Sequence, residues 1–490
     1  MSIDVSRGRA ALSACLLALA AAGCTVGPDY VPPGTDAPAA WTEASAPGLI
    51  GTGPEAAQQL QQWWTSFNDP TLDRLVATAI TGNLDLKIAQ QRLLEARAQR
   101  TSAAAGYYPT LSATGSAERQ RYSTALKFPP FGGLANTFEA GFDASWEIDI
   151  FGKTRRAVEA ADASVDASVE SRRDVLVSLL AELGQDYATL RSAQARLAIA
   201  QRNIRVDQDA LDLTREKYKG GLGNELDVAQ AQAQLETLNA AVPQLQTLVA
   251  QQSHAIAVLL GQEPGALEAE LAVPAPLPPA PPILPATMPS DVVRNRPDIR
   301  AAERQIAGSN AQIGVAIAQM FPTFSISPSF DLAAGSLHHL LNDGALQWGA
   351  PASISVPLFE GGRLEANVAQ AKAVAEEDRL TYRKTVLTAF QEVEDALVAY
   401  GAERRRHDRL TAAVAADRIA VDRATALYRS GLGNFLSVLD SERSLYSAED
   451  ASAQSELTLT QQTIALYKAL GAGWQVGEPD GSVKLAAVAK

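Results

Sequence analysis

The stretch YKGGLGN, Tyr218 to Asn224, interrupts a long helix-like run, and YRSGLGN, Tyr428 to Asn434, nearly repeats it about 210 residues later. The likeness extends well beyond the phrase. Upstream, Leu183, Leu190, Leu197, Ile204, Leu211 and Tyr218 recur every seven residues, and Val393, Tyr400, His407, Val414, Val421 and Tyr428 stand at the same offset. Downstream, Leu235, Val242, Val249 and Ile256 correspond to Leu445, Ser452, Leu459 and Leu466, and the runs close at Gly261 and Gly471. Ungapped self-similarity at a fixed offset marks an internal duplication, which overrides the several ordinary domains that 490 residues would suggest.

Each copy changes period twice. In Phe138 to Ile150 the apolar residues Phe138, Ala140, Phe142, Ala144, Trp146, Ile148 and Ile150 alternate with Glu139, Gly141, Asp143, Ser145, Glu147 and Asp149. Period two with one apolar and one acidic face reads as a strand. Trp348, Ala350, Ala352, Ile354, Val356 and Leu358 alternate in the same way in the second copy, and weaker alternation follows Pro109 and Pro322. Two strands per copy predict two β-hairpins, over residues 109–151 and 322–360, with ALKFPPFGGLA and SLHHLLNDG as their loops.

A proline-free run from Lys153 to Lys219 follows the first hairpin. As a helix it would reach roughly 100 Å at about 1.5 Å per residue, and its seven-residue period specifies coiled-coil packing. GGLGN then ends it: glycine suits a left-handed C-cap, and Asn224 or Asn434 is placed to cap the returning helix. The repeated phrase is therefore the tip of a helical hairpin. Ahead of the first hairpin, Asp69 and Pro70 open one amphipathic helix, Asn83 caps a second, and Pro109 ends it.

The start of the chain reads as a targeting segment. Arg7 and Arg9 precede AALSACLLALAAAG, an apolar run too short to span a bilayer as a mature helix. Removing residues 1–23 takes away Asp4, Arg7 and Arg9, so the net charge of −13 becomes −14. So acidic a chain is a poor nucleic-acid binder. Cys15 would be lost with the signal, leaving Cys24 and excluding a disulfide framework. The expected organisation is a signal peptide at 1–23, an extended segment at 24–62, a first repeat at 63–263 with its tip at 218–224, a proline-rich linker at 264–290, a second repeat at 291–473 with its tip at 428–434, and a tail at 474–490.

Two hairpins make four strands, too few to close, and an open sheet edge in lipid leaves backbone groups unsatisfied. Single-chain barrels begin at about eight strands, so a barrel shared between subunits is expected. Two chains would supply eight strands and three would supply twelve; the arithmetic leaves both open. The acidic face, Glu139, Asp143, Glu147 and Asp149, points to a wet lumen.

Nothing in the sequence forms an enzymatic constellation, and no cofactor is called for. His254, His338, His339 and His407 lack metal-ligand spacing; a solvated loop pair is the simpler account of His338 and His339, and packing that of His407. GGLGN lacks the lysine and hydroxyl of a phosphate loop.

GCTVGPDYVPP, WWTSFNDPTLDRL, NLDLKIA, SWEIDIFGKTRRAVEAA, RNRPDIRAAE, SVPLFEGGRLEANVAQA and YRSGLGNFLSVLDSERSLYSA, in that order, resemble the TolC/OprM outer-membrane factors over nearly the whole chain, in particular the NodT-type lipoprotein branch. The resemblance implies a mixed α/β membrane protein: a homotrimer with a shared twelve-stranded β-barrel in outer-membrane lipid, continuous with a long α-helical coiled-coil tunnel through the periplasm. It also implies docking to a periplasmic adaptor and an inner-membrane transporter of the RND type. AAGC resembles a lipoprotein processing site, which would make Cys24 the lipidated first residue; Ala21 departs from the leucine more usual there. Asp440 stands where relatives carry one carboxylate of their periplasmic constriction, while Ser437 replaces the other; the matching first-copy positions are Gln230 and Asp227. Some relatives lock the gate with a basic residue where this chain has Gly433, so a lock here must differ and is expected to involve Tyr428. A solvated helix carboxylate is the plain alternative for Asp440. Adaptor contacts would fall on Gly221, Leu222, Gly223 and Asn224 and on Gly431, Leu432, Gly433 and Asn434.

The function expected is a passive, gated exit duct of a tripartite efflux system. The exit duct of a type I protein secretion system shares this architecture, and a periplasmic coiled-coil scaffold without a pore is the alternative from another class.

Overall fold

The computed structural model describes residues 25–34, 37–42, 50–51, 60–122, 133–281, 284–285 and 288–477. The expected signal peptide, Cys24, most of the ALKFPPFGGLA loop, part of the proline-rich linker and most of the tail lie outside the described residues. The chain divides into two compact units that cut across the two repeats. One contains the described parts of residues 1–34, 92–169 and 301–383, and the other those of 35–91, 170–300 and 384–490.

Seven helices carry most of the chain: α1 Pro70–Gly82, α2 Leu84–Ala104, α3 Lys153–Lys219, α4 Glu225–Leu259, α5 Pro297–Ala318, α6 Arg363–Arg429 and α7 Phe435–Ala469. The duplication is visible in their lengths, since α3 and α6 each hold 67 residues and α4 and α7 each hold 35. At α1 the Asp69 carboxylate accepts the N–H groups of Thr71 and Leu72 at 2.8 and 3.3 Å. At α2 the Asn83 side-chain oxygen accepts from Leu86 N–H at 2.8 Å. Each satisfies amides that a helix start leaves unpaired. Helix α2 ends before Pro109, at Ala104, and a 3-10 turn over Ala105–Tyr107 follows. Proline drives the residue ahead of it out of the helical region, and Tyr108 is accordingly extended at φ −115°, ψ 152°.

In the second unit the core gathers around Trp63, which stacks on Tyr467 with ring centres 5.3 Å apart and meets Trp64 and Phe67 edge-on. Leu75, Leu180, Leu183, Leu190 and Ile256 close around these rings. A separate cluster near the helical tips joins Leu211, Ala231, Leu235, Tyr428, Phe435, Val438 and Leu439.

The first unit holds the sheet. Its strands are β1 Thr110–Tyr122, β2 Gly133–Ile148, β3 Thr323–Ile326, β4 Ser329–Ala334, β5 Leu346–Gly349 and β6 Ala352–Ser355. Strands β1 and β2 form an antiparallel hairpin from Thr110↔Ser145 to Tyr122↔Gly133. The second hairpin differs from two plain strands, for each arm is cut in two, at Pro328 between β3 and β4 and at Pro351 between β5 and β6. A proline has no N–H to give a ladder, so pairing must lapse and resume. Strand β2 carries β4 and then β3 along its free side, β4 pairs β5, and β3 pairs β6. Across the break, Ser327 N–H donates to the Pro351 carbonyl at 3.0 Å and Ala144 N–H to the Pro328 carbonyl at 2.8 Å. The six segments thus run as four rails, with β1 on one edge and β5 and β6 on the other.

Candidate functional site

Opposite residues in a ladder point to the same face, so the register sorts every side chain of the sheet. One face carries Leu111, Phe138, Phe142, Trp146, Phe330, Leu332, Trp348 and Ile354: Phe142 faces Phe330, Phe330 faces Trp348, and Trp146 faces Ile326. These rings have no core above them, since Phe142 is 55% exposed and Trp348 76%. The other face is polar. Thr114 donates to Asp143 at 2.9 Å, Ser116 to Glu139 at 3.4 Å, and Ser325 and Ser353 are 2.7 Å apart. Glu147 and Asp149 serve the start of α3, where Glu147 pairs Lys153 at 2.9 Å and Asp149 accepts the Arg155 N–H at 2.9 Å. A broad apolar face rimmed by polar groups marks an interaction surface, and both edges of the sheet are unpaired among the described residues. No helix among the described residues is long and apolar enough to cross a membrane.

Residues 25–34 are bound to the same unit as the sheet. Val26 N–H donates to the Phe151 carbonyl at 3.1 Å, and Phe151 stacks on Phe321 with ring centres 4.7 Å apart. The buried Arg156 guanidinium donates to the carbonyls of Val26 and Gly27 and to Asp29. A side-chain carbon on Gly27 would run into the backbone of Gly314, and one on Gly314 would run into the buried Arg156 side chain. Thr25 packs on Gly152, at the point where β2 gives way to α3.

The two tips share one construction. Leu222 N–H donates to the Lys217 carbonyl at 2.8 Å and Gly221 N–H to the Tyr218 carbonyl at 3.0 Å; Leu432 and Gly431 repeat this toward Leu427 and Tyr428 at 2.9 and 3.2 Å. This is a Schellman cap, and it requires the positive φ of +74° at Gly221 and +78° at Gly431. The Asn224 side chain then accepts Asp227 N–H at 2.8 Å, and that of Asn434 accepts Ser437 N–H at 3.0 Å. Leu222 and Leu432 are about four-fifths exposed beside Gly223 and Gly433.

The gate candidates are placed unequally. Asp440 is exposed and Asp227 half-buried. Ser437 is occupied by the cap, its hydroxyl donating to Asn434 at 2.6 Å. Tyr428 is buried, 5.5 Å from the Phe435 ring, whereas its repeat partner Tyr218 is 47% exposed. Burial raises the Tyr428 phenol above its usual range. Sequence reasoning missed its partner: Lys217 donates its ammonium to the Tyr428 carbonyl and lies 4.0 Å from the centre of its ring. The available signal was the departure from the repeat, which places Leu427 opposite Lys217.

Further from the tips, a buried polar array was also missed. Tyr446 donates to Asp207 at 2.6 Å, and Arg443 donates to Gln234 at 2.9 Å. Arg202 and Arg418 hold Glu449 at 3.0 and 2.8 Å, with Asn203 at 3.4 Å. Burial, then the neighbouring Asp207 charge, pushes the Glu442 carboxyl up to about 8. Asp207 is raised by burial against the opposing pull of Tyr446 and Arg443. Burial works to raise the Glu449 carboxyl, but the hydrogen bond from Arg418 and the charge and hydrogen bond of Arg202 outweigh it and hold that carboxyl below its usual range.

Comparison with known proteins agrees with this geometry. The family model described as outer membrane efflux protein matches residues 75–262 and 288–472. The chain is 32% identical over 466 residues to the probable efflux pump outer membrane protein TtgC of Pseudomonas putida, covering 94% of this chain and 95% of that one. It is 32% identical over 452 residues to Nodulation protein T of Rhizobium leguminosarum bv. trifolii, covering 92% and 95%. Among solved structures, the outer-membrane channel OprN superposes with a TM-score of 0.84 at 37% identity, over 92% of this chain and all of that one.

Proposed function

We propose, from the premise that the chain belongs to the outer membrane efflux protein family, a mechanism for its work as a passive duct. The protein is an outer-membrane efflux channel of a Gram-negative cell that reaches into the periplasm. The observation that carries the mechanism is the amphipathic four-rail sheet with two open edges. Lipid would leave those edges unsatisfied, so copies must pair edge to edge until the sheet closes. Three copies give twelve strands, with the apolar face in lipid and Asp143 and Glu139 in the lumen. The family resemblance favours three over two.

The helical hairpins form the periplasmic end. A ring of three Asp440 carboxylates at the constriction favours cations and retards anions. Lys217 on Tyr428 ties the two unlike hairpins of one chain together, and this clamp replaces the basic lock absent at Gly433. The exposed Leu222 and Leu432 tips offer an apolar seat for a periplasmic adaptor, whose contacts shift the closed-to-open balance, while an inner-membrane transporter of the RND type supplies the work. Cys24 carries the lipid anchor. The seating of Thr25 beside the end of β2, where the sheet would leave the bilayer, supports this.

Planar-bilayer recording on detergent-purified protein, with its mass corrected for bound detergent, tests the reading. Three chains per particle and discrete conductance steps are expected. A stable monomer without conductance would leave a scaffold role in its place.

A further inference from the structure

The register of the first hairpin places two cations on the lipid side of the sheet. Counting outward along β1, the apolar face carries Leu111, Ala113, Gly115 and Ala117, and then Arg119 and Arg121, opposite Asn136 and Leu134 of β2. Helices α2 and α3 join the hairpin at its other end, around Thr110 and Ile148, so the arginines lie at the end away from the helices, which on the channel reading faces the cell exterior. Both side chains are exposed, and among the described residues neither guanidinium has an ion-pair or hydrogen-bond partner.

Their height is informative. From Ile148 to Phe138 the apolar rail of β2 spans ten residues, roughly 34 Å of strand, which a tilt of about 45° reduces to roughly 24 Å, the usual height of a barrel's apolar band. Asn136 is the first polar residue on that rail and stands opposite Arg119. The arginines therefore begin where the hydrocarbon ends, and their long stems can lie along the apolar surface while the guanidinium groups sit among headgroups. Guanidinium is the side chain best suited to bind phosphate oxygens in pairs, and two on one rail lie about 7 Å apart. In a chain of net charge −13, an unpaired cationic pair on the outward face calls for an anionic partner.

We infer that Arg119 and Arg121 form a binding site for the phosphate groups of an outer-leaflet glycolipid, so that a closed trimer wears a rim of six guanidinium groups at the exterior boundary of its apolar band. The inference rests on the channel reading above. The lipid bound here would hold the barrel at a fixed height and seal the junction between neighbouring subunits, because β1 is the edge at which copies meet.

The test uses full-length protein purified in detergent as wild type, as Arg119→Gln/Arg121→Gln and as Arg119→Lys/Arg121→Lys. Co-purification of lipopolysaccharide and of its enzymatically dephosphorylated form is measured by native mass spectrometry, with millimolar inorganic phosphate as competitor. Wild type should retain the phosphorylated lipid at least tenfold more than the glutamine variant and more than it retains the dephosphorylated lipid. The lysine variant should fall between. Inorganic phosphate alone should not displace the lipid, since displacement would make this a site for the free anion. Equal retention by wild type and glutamine variant, or equal retention of both lipids, would overturn the inference. Bilayer conductance is recorded for all three proteins: a conducting wild type that does not discriminate sinks this site alone, whereas a wild type that neither assembles nor conducts sinks the channel reading.

Discussion

The Lys217 ammonium lies 4.0 Å from the centre of the Tyr428 ring and also binds that residue's carbonyl, so one side chain of α3 grips α6 beside the second tip. A cation over an aromatic face contributes about 0.5–2 kcal/mol, and a hydrogen bond from a charged donor about 1.5–3. Lys217→Met keeps length and packing but removes both. It should raise the open probability in bilayers by roughly tenfold or more, the factor that each ~1.4 kcal/mol carries. Tyr428→Leu should do so less, because the carbonyl contact survives. An unchanged open probability in Lys217→Met would show that the clamp plays no part in closure.

Glu442 should make the helical end sensitive to pH. Its carboxyl titrates near 4.5 in the unfolded chain and is raised to about 8 in the fold, where it faces Asp207 from α3, with Tyr446 and Arg443 beside it on α7. Below about 4.5 both states hold the proton and the group contributes nothing to pH dependence. Between about 4.5 and about 8 the unfolded chain releases a proton that the native one keeps, so stability falls as pH rises across that window and levels off above it. The thermal unfolding temperature of wild type should therefore fall from pH 5 to pH 8, and Glu442→Gln should flatten much of that slope. Parallel slopes in both proteins would contradict the assignment.

Gly221→Val and Gly431→Val test the tips. Apart from the chain neighbours, the space beside either glycine is open among the described residues, so the change acts through the left-handed backbone and through whatever docks there. The strain is on the order of 1–3 kcal/mol per tip, too little to dissolve the proposed trimer if its barrel holds it. Trimer mass should persist while crosslinking to the adaptor and efflux in cells drop severalfold. Normal crosslinking in both variants would place the docking surface elsewhere.

Asp440→Asn should leave docking unaltered and lower the preference for cations over anions. The reversal potential in a salt gradient measures this directly. If it does not move, the exposed carboxylate faces away from the pore.

Cys24→Ser, exported with a standard signal peptide, should lose acylation yet still fractionate with the outer membrane. A closed barrel presents far more apolar surface than acyl chains do. Protein found only in the soluble periplasmic fraction would argue against the barrel.

Much of this was legible in sequence because the signals were periodic. Alternation from Phe138 to Ile150 gave the two-faced strand, and the caps at Asp69, Asn83, Asn224 and Asn434 follow from side chains that bond to nearby amides. The cuts at Pro328 and Pro351 were present in the letters, but a proline in an alternating run does not say whether the strand stops or resumes; that depends on the neighbouring rail. The site was harder to read. Ser437 looked like a missing acid, and only the three-dimensional cap shows its hydroxyl committed to Asn434. Lys217 and Glu442 were invisible because their partners, Tyr428 and Asp207, come from the other repeat, and heptad spacing fixes which face a residue occupies without naming what lies opposite.

The open edges at β1 and at β5 and β6 bear on the cell's permeability barrier. A lone subunit cannot leave its backbone bare in hydrocarbon, so on the proposed shared barrel insertion and closure are one event. A shortage of subunits then reduces how many ducts exist and leaves every existing one whole. Surplus chains would be kept out of the hydrocarbon whether or not an acyl anchor tethers them, and the membrane would be spared a population of half-built, leaking holes.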